Sequence, residues 1–373
     1  MPVVIVGGGI MAASTAYYLA TLGKSSIIIE RETVGCSASG KAGGFLARGW
    51  CSSGPTRQLH YRGFDLIRQY AQQHHLESYR DLPTAQTEIH RSKRRKSDGQ
   101  CSWLDKGTTQ SSLMDSETAQ ITPLELTESL IAEATNLGML ELRTDAKAVD
   151  VVVEEEGKAV TGVVLDDGCV VHGSEVILAM GAWSCEVEAW SALQGKVRMP
   201  MSGIKSSSLV YRDTRMPAVP DPHALFCSDD ANGCHLEVYP RPDGDIYICG
   251  LGGSPQLRPE DLRSLNPSDV QPELSRAAAG HKSLSTMTSL IDSGKGPDIK
   301  QACLRPILPD ALPAIGRLSD SINNLYIVAG HNCWGILWSL VSGEAMAELL
   351  VHGRPKHISL TNFEPTRFTT LPS

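Results

Sequence analysis

The segment Val3-Val4-Ile5-Val6-Gly7-Gly8-Gly9-Ile10-Met11-Ala12 decides the fold of this chain of 373 residues. Its four β-branched residues predict a strand that is buried on both faces, as in a parallel sheet. The glycines predict a turn, and residues 10–22 predict a helix that ends at Gly23, because glycine readily takes the left-handed conformation found after helices. A second β-branched run at 27–29, followed by Glu30, completes a strand-helix-strand unit. The chain therefore begins with the βαβ unit of an α/β domain.

The glycine turn has the spacing of a dinucleotide-binding motif. Gly7 permits the tight turn, Gly9 lets the backbone approach a pyrophosphate, and Ala12 is small enough for close helix packing. The amino end of the helix carries partial positive charge, which favours phosphate groups. Glu30 follows at the distance where a carboxylate binds ribose hydroxyls. These residues predict an adenosine diphosphate site, and by themselves they leave open whether the cofactor is NAD or FAD.

The rest of the chain alternates in character. Thr122-Pro123-Leu124-Glu125 predicts a helix that starts with a capping box, with Gly138 at its end. Strand-like pieces at short spacing then predict a β-meander with turns at Gly157 and Asp167-Gly168. The predicted pieces are 148–153, 160–165, 170–171 and 176–179.

A second, antiparallel domain is expected from the Pro- and Ser-rich region 199–299, which contains predicted strands at 235–239 and 246–249. Residues 60–120 are less regular, and we expect them to contribute to the same domain. A strand at 325–329 and a helix over 335–350 are predicted to close the chain.

Composition excludes several classes of function. The formal net charge of −8 and the isoelectric point near 5.8 argue against nucleic-acid binding. The one basic run, at 93–96, is interpreted as a solvated loop. No apolar stretch is long enough to cross a bilayer, and the apolar run directly after Met1 leaves no room for a cleavable leader. Ten cysteines lack the spacing of a zinc site or disulfide framework, so we expect reduced thiols, no metal and a cytoplasmic location.

Four further segments extend the pattern set by the glycine turn. They are CSASGKAGGFL at 36–46, AMGAWS at 179–184, RPILPDALP at 305–313 and GHNCWGI at 330–336. Together with the glycine turn, and in the same order, they resemble the motifs of the D-amino-acid-oxidase-like (DAO) family of flavoproteins. One difference is Ala311, which stands where the family has Gly.

The resemblance implies FAD as the cofactor and a mixed α/β and α+β fold. It implies a Rossmann-like FAD-binding domain of the glutathione-reductase type, with a β-meander, formed by 1–60, 122–195 and 300–373. An interleaved antiparallel-sheet substrate domain is expected from 61–121 and 196–299.

In this family the 36–46 segment wraps the pyrophosphate. The turn at 330–336 also has a physical rationale, because a turn into a helix presents free N–H groups that can stabilise negative charge on reduced flavin. The residues predicted to bind FAD are Gly7, Gly9, Ile10, Met11, Ala12, Glu30, Arg31, Ser37, Ser39, Gly40, Lys41, Gly43, Gly44, Phe45, Leu46, Val149, Gly181, Trp183, Cys303, Gly330, His331, Asn332, Trp334, Gly335 and Ile336.

Three residues are predicted to act on the substrate. Arg305 occupies the position that holds the substrate carboxylate in glycine-oxidase-like members, and the planar guanidinium suits two oxygens at once. A structural arginine at a domain junction is the alternative. His235 and Glu237 lie on one face of a predicted strand together with Tyr239. His235 could orient or deprotonate an amine, and Glu237 would favour a cationic group on the substrate unless it faces solvent.

Cys303 matches the spacing of the cysteine that carries covalent flavin in monomeric sarcosine oxidases, so a thioether to the flavin is possible. The alternative is a small buried thiol. Cys333 is a weaker candidate, because its turn is expected at the opposite edge of the flavin. No lysine clearly matches the one that activates oxygen in the sarcosine-oxidase branch, which leaves the electron acceptor open.

The resemblance implies an amine or amino-acid oxidase that transfers hydride to FAD and uses oxygen as acceptor, with a small amine or amino acid as substrate. A dehydrogenase with another acceptor is the second hypothesis. The third is a flavoprotein with an assembly or trafficking role and vestigial catalysis. The oligomeric state is not predicted.

Overall fold

The computed structural model describes residues 1–90, 101–154, 158–212 and 222–368. The basic run at 93–96 and the predicted turn at Gly157 lie outside these ranges. The strands are β1 (Val3–Val6), β2 (Ser26–Ile29), β3 (Phe45–Ala47), β4 (Arg80–Asp81), β5 (Thr84–Ile89), β6 (Thr109–Asp115), β7 (Thr118–Gln120), β8 (Leu140–Arg143), β9 (Ala148–Val153), β10 (Val160–Leu165), β11 (Val170–His172), β12 (Val176–Leu178), β13 (Ser202–Tyr211), β14 (Ala224–Cys227), β15 (Glu237–Pro240), β16 (Ile246–Cys249), β17 (Gln256–Leu257), β18 (Ile299–Ile307), β19 (Ala314–Arg317) and β20 (Leu325–Ala329). The α-helices are α1 (Ile10–Thr21), α2 (Ala38–Lys41), α3 (Arg57–Gln73), α4 (Pro123–Asn136), α5 (Pro259–Leu262), α6 (Leu274–Met287) and α7 (Ser339–His352).

A six-stranded sheet with the order β19-β20-β12-β1-β2-β8 forms the first half of the molecule. Its strands are parallel except β19, which pairs antiparallel with β20 at the edge. Every residue of β1 and β2 is buried, as expected for the β-branched runs of strands that are covered on both faces. The predicted Rossmann-like fold class is confirmed.

Helices cover one face of this sheet and the β-meander covers the other. Val3 and Ile5 belong to the core with α1, α3, α4 and α7, whereas Val4 and Val6 belong to the core with the meander. Helices α1 and α7 cross closely at Gly343, where an added Cβ would lie 2.6 Å from Ser14 Oγ. This close crossing fixes the amino end of α1 against the rest of the fold.

The meander has three strands rather than four. Strands β9, β10 and β11 form an antiparallel sheet, and Gly168 turns the chain between the last two with a φ of 84°. The fourth predicted strand, β12, instead pairs in parallel with β1 and β20. Its three residues are fully buried, so pairing inside the parallel sheet buries both of its faces.

The second half of the molecule is built on an eight-stranded sheet. Its order is β17-β13-β16-β15-β14-β5-β6, with β18 paired to β13. The predicted strand at 246–249 is confirmed as β16, and the strand predicted at 235–239 is shifted, since β15 begins at Glu237. Strands β5 and β6 bring part of the 61–121 segment into this sheet, as expected.

The two-domain division remains a prediction, and the packing departs from it in two places. Strand β18 pairs with β13 from Ile299 to Ile307, although the boundary at 300 assigns it to the FAD-binding part. Helix α3 packs on α7 in the core of the first half, although most of it falls within 61–121.

Two local expectations were wrong. Helix α4 starts after Thr122 without a side-chain cap, and the Glu125 carboxylate accepts hydrogen bonds from the backbone N of Glu77 and Ser78 at 3.1 Å each. Backbone N–H groups from another part of the chain therefore occupy the Glu125 carboxylate, in place of the predicted capping box. The last helix, α7, begins at Ser339 rather than near residue 335, because a 3-10 turn at Asn332–Trp334 comes first.

Within the described part of the chain, no helix has both the length and the apolar character that crossing a membrane requires.

Candidate functional site

A cavity of about 460 Å³ lies where the glycine turn of the first sheet meets the eight-stranded sheet. Its walls come from segments far apart in sequence. They include the turn after β1, the 35–45 segment, the 179–183 turn, strands β15, β16 and β18, and the 329–336 turn. All five segments that carry the family resemblance therefore contribute to one cavity.

The glycine turn is shaped by close backbone approaches. Gly7 has a φ of 108°, and an added Cβ would lie 2.5 Å from the carbonyl oxygen of Ala179. A Cβ on Gly9 would lie 2.9 Å from Ser39 Oγ, which accepts a hydrogen bond from Ile10 N at 2.9 Å. The 36–46 segment thus sits directly over the amino end of α1, where partial positive charge favours an anion.

Glu30 is buried beside the same turn. Its Oε2 accepts a hydrogen bond from Gly8 N at 2.5 Å, and its Oε1 accepts one from Glu32 N at 2.8 Å. The neighbouring Arg31 forms an ion pair with Glu186 at 3.0 Å and lies over the ring of Trp183, 5.4 Å from its centre. These residues form a wall that carries both a carboxylate and an aromatic face.

The cavity holds buried polar atoms that have no partner within the described residues. They are Ser37 Oγ, Arg305 Nε, His331 Nδ1 and Asn332 Oδ1. Burial without a hydrogen bond is costly for such groups, so these atoms indicate that a polar ligand belongs here. With the glycine cradle and Glu30, the Ser37, His331 and Asn332 atoms fit FAD, whereas Arg305 Nε lies on strand β18.

His331 is fully enclosed in the 330–336 turn. Burial lowers the pKa of its imidazole to about 3, so the ring is neutral at physiological pH. Its Nε2 lies 3.0 Å from Ser342 Oγ in α7. The ring therefore anchors the turn to the helix as an uncharged group.

Twenty of the twenty-five residues predicted to bind FAD line the cavity, and five do not: Ala12, Gly40, Lys41, Leu46 and Val149. Val149 is 36% exposed, because alternation along β9 turns its side chain outward while Ala148 lines the cavity, and its role as a cofactor residue stays a prediction. Ala12 is buried within α1, in keeping with a packing role.

The other residues off the cavity act through the backbone or through packing. Gly40 approaches Gly35, whose carbonyl oxygen would lie 2.3 Å from an added Cβ. The Lys41 carbonyl accepts hydrogen bonds from Tyr247 Oη at 3.1 Å and from Gln301 Nε2 at 3.2 Å. These contacts tie the 36–46 segment to the eight-stranded sheet.

The three predicted substrate residues all line the cavity. Arg305 lies on β18, and no carboxylate of a described residue lies within 4.0 Å of its guanidinium. Glu237 and Tyr239 lie on one face of β15, and Tyr239 Oη donates to Glu237 Oε2 at 2.5 Å. His235 precedes the strand, its side chain is 57% exposed, and its Nδ1 lies 4.0 Å from Asp229. His235 is thus at the mouth of the cavity and Tyr239 in its interior.

Cys303 is buried in the wall near Arg305. Burial raises the pKa of its thiol to about 11, opposed by the positive charges of Arg305 and Lys41. Cys249 also lines the cavity, and burial, followed by the charge of Glu237, raises its pKa. Both thiols are therefore protonated at neutral pH.

The sequence analysis missed an aromatic cluster, defined as Phe45, Trp50, Phe226, Tyr239 and Trp334, as a feature of the site. All five line the cavity. Phe45 and Trp334 were predicted as cofactor residues, and Tyr239 was expected on the same strand face as His235 and Glu237. Trp50 and Phe226 carry no periodic signal, because Trp50 lies in a loop after β3 and contacts Phe226 of β14 only through the tertiary fold.

A group of possible metal ligands lies outside the cavity. One ligand atom from each of Glu344, Glu348 and His357 lies within 4.8 Å of the others. Arg62 already donates to both oxygens of Glu344 at 2.5 Å, and Lys356 N donates to Glu348 at 2.6 Å. These carboxylates are satisfied by the protein itself.

The sequence matches known families over most of its length. The profile of the family described as DAO, FAD dependent oxidoreductase, matches residues 2–349. The chain is 24% identical to the protein C1F5.03c of Schizosaccharomyces pombe, over 97% of both chains. It is 25% identical to TDA3 of Saccharomyces cerevisiae, but that match covers 51% of this chain and 34% of the relative. A 4-methylaminobutanoate oxidase of Paenarthrobacter nicotinovorans is 25% identical over 94% of this chain and 44% of its own length.

Solved structures share the fold. Iminodiacetate oxidase from Chelativorans sp. BNC1 superposes with a TM-score of 0.76 at 17% identity, over 97% of this chain and 98% of its own. L-proline dehydrogenase from P. horikoshii superposes with a TM-score of 0.73 at 18% identity, over 99% and 97%. At such low identity the likeness concerns the fold alone.

Proposed function

The chain belongs to the DAO family of FAD-dependent oxidoreductases, and we propose that it oxidises the carbon–nitrogen bond of a small amino acid whose carboxylate is bound by Arg305. Arg305 supplies the main support. Its guanidinium lines the cavity, its Nε is buried without a partner, and no carboxylate of a described residue lies within 4.0 Å. The residue is half-buried and hydrogen-bonds the Cys333 thiol, so among the described residues its charge is not paired by a carboxylate, and the buried Nε without a partner favours a polar ligand.

The proposed chemistry divides between cofactor and protein. Bound FAD would supply the two-electron acceptor for a hydride from the carbon next to the amine nitrogen, and hydrolysis of the imine product would need only water. The residues we propose to hold FAD are the Gly7 to Met11 turn, Glu30 and Arg31, the 37–45 segment, and the 330–336 turn. The protein orients the substrate, and Arg305 does so by binding both carboxylate oxygens.

Two proteins that resemble the chain support an amino acid as substrate. One oxidase with the same fold is named for iminodiacetate, and an oxidase relative is named for 4-methylaminobutanoate. Both molecules contain an amine and a carboxylate. An unpaired arginine in the cavity suits the carboxylate of such molecules. We propose oxygen as the electron acceptor, with hydrogen peroxide as product.

We also propose a thioether between Cys303 and the 8α carbon of the flavin. Cys303 lines the cavity and has the spacing of the cysteine that forms this bond in monomeric sarcosine oxidases. Such a bond would replace the thiol hydrogen and one hydrogen of the 8α methyl group, and the two electrons released would be taken up by the flavin as the oxidant. Because burial raises the pKa of this thiol to about 11, we expect slow attachment at neutral pH.

The test is anaerobic bleaching of the flavin absorbance by a panel of amino acids and their decarboxylated amines, followed by peroxide detection in air. We expect some amino acids to bleach the flavin and their decarboxylated amines to fail at the same concentration. Bleaching by the amines alone would contradict the role of Arg305. Bleaching without peroxide would contradict oxygen as acceptor and favour a dehydrogenase.

A further inference from the structure

The aromatic cluster surrounds part of the cavity with ring faces and edges. Trp50 lies 5.2 Å from Phe45 and 5.0 Å from Phe226, measured between ring centres. Phe45 and Tyr239 are parallel at 5.5 Å, and Trp50 and Trp334 are 6.5 Å apart. Ring faces of this kind attract cations through their quadrupoles, most strongly when water is excluded.

The Glu237 carboxylate is hydrogen-bonded to a member of this cluster. Its Oε2 accepts hydrogen bonds from Tyr239 Oη at 2.5 Å and from Cys249 Sγ at 3.5 Å. Among the described residues, no Lys, Arg or His lies within 4.0 Å of the carboxylate, and Oε1 accepts no hydrogen bond from them. Glu237 is therefore an anion in the cavity wall without a cation of its own.

Glu237 and Arg305 place opposite charges in this part of the cavity, and the two charges do not pair with each other. The charges of both residues affect the Cys249 and Cys333 thiols, with Glu237 raising each pKa and Arg305 lowering it. The two side chains do not form an ion pair within 4.0 Å. The cavity thus offers one fixed cation and one fixed anion, which suits a ligand with a carboxylate and a separate positive group.

The reacting amine is a poor partner for Glu237. Loss of hydride from the neighbouring carbon requires a neutral amine, since the nitrogen lone pair must form the imine. A carboxylate bonded to that amine would stabilise its protonated form instead. The arrangement therefore favours a positive group on the substrate that takes no part in the reaction.

We propose that Glu237 and the aromatic cluster bind a second, non-reacting cationic group, so the substrate is an amino acid with a basic side chain. This inference rests on the proposed function, and it adds the substrate class. Arg305 binds the substrate carboxylate, and Glu237 Oε1 accepts a hydrogen bond from the cationic group of the substrate side chain. The faces of the aromatic rings cover the alkyl part of that side chain.

The test measures the rate of anaerobic flavin reduction in the FAD-loaded protein against ligand concentration, which separates the apparent Kd of each ligand from its limiting rate. The ligands are lysine with norleucine and ornithine with norvaline, in both D and L forms, since each pair differs mainly in the terminal amine. We expect the basic member to bind roughly 10- to 100-fold more tightly, as for a hydrogen-bonded charge. In Glu237→Gln, which keeps the shape of the side chain, this ratio should fall close to one. The matched control is Glu260→Gln, whose side chain is 66% exposed on the surface.

The outcomes separate this inference from the proposed function. Equal binding of lysine and norleucine by the wild-type protein, with bleaching by norleucine, would overturn the inference and leave the function intact. A Glu237→Gln protein that loses both ligands equally would also overturn it and assign Glu237 to the reacting amine. No bleaching by any amino acid would contradict the function itself. Retained FAD absorbance and an unchanged melting temperature show that the variant is folded.

Discussion

Replacement of Arg305 by methionine tests the carboxylate site most directly. The side chain lines the cavity, its Nε is buried and unpartnered, and the described residues provide no acidic neighbour within 4.0 Å. Deleting one member of a desolvated charge pair costs about 2 to 5 kcal/mol. At about 1.4 kcal/mol per tenfold change, substrate binding should weaken by about 30- to 4,000-fold. The stability of the protein should change little, because no internal ion pair is lost.

The assay is the rate of anaerobic flavin reduction as a function of substrate concentration, which separates the apparent Kd from the limiting rate. Arg305→Met should raise the Kd for the amino acid and leave the Kd for its decarboxylated amine unchanged. Arg305→Lys should give an intermediate loss, since it keeps the charge and loses the planar fork. Arg258→Met is the matched control, because that side chain is 74% exposed.

The reasoning fails if Arg305→Met binds the amino acid as tightly as the wild-type protein does while retaining its FAD spectrum. In that case the arginine is structural or the substrate has no carboxylate. A variant that loses FAD instead would assign Arg305 to the cofactor site.

Three further predictions concern the cofactor and stability. Gly9→Leu should abolish FAD uptake, since even a Cβ there would lie 2.9 Å from Ser39 Oγ. The control Gly296→Leu should bind FAD normally, because nothing lies within 4 Å of a Cβ at that position. FAD uptake by both variants would contradict the glycine cradle. Denatured wild-type protein should fluoresce on an acid-treated gel and Cys303→Ala should not, while still binding FAD; release of all flavin by acid would show that the thioether is absent. Burial lowers the pKa of His331 to about 3 in the folded protein, so only the unfolded state takes up a proton as pH falls below about 6.5. The free energy of unfolding should therefore fall by about 2 kcal/mol at pH 5. Urea titrations of the cofactor-free protein should show this loss, with a flatter dependence in His331→Gln; equal slopes would argue against a buried neutral ring.

Features governed by local backbone geometry could be predicted from the sequence. The β1 strand, the glycine turn and helix α1 follow from residue type alone, because buried β-branched runs and left-handed glycines leave few alternatives. Ala311 is an exception, because it takes a φ of 58° without being the glycine that the family has there. The motif segments that line the cavity were identified by their resemblance to the DAO family.

Features decided by distant partners could not be predicted. Glu125 has the right spacing for a capping box, but Ser78 and Glu77 provide competing donors from another part of the chain. Val149 stays a predicted cofactor residue, and the alternation along β9 places Ala148 rather than Val149 in the cavity wall.

The charge pairing and ring packing of the substrate site are also decided by distant partners. The sequence by itself predicted that His235, Glu237 and Tyr239 share one face, since alternation along a strand sets the face of each side chain, and Arg305 was predicted from the family resemblance. Only the tertiary structure decided that Glu237 meets Tyr239 and Cys249 but no cation among the described residues, and that Trp50 and Phe226 complete the aromatic cluster beside it. The physical reason is that charge pairing and ring packing depend on which strands become neighbours, and this neighbourhood is a property of the whole sheet.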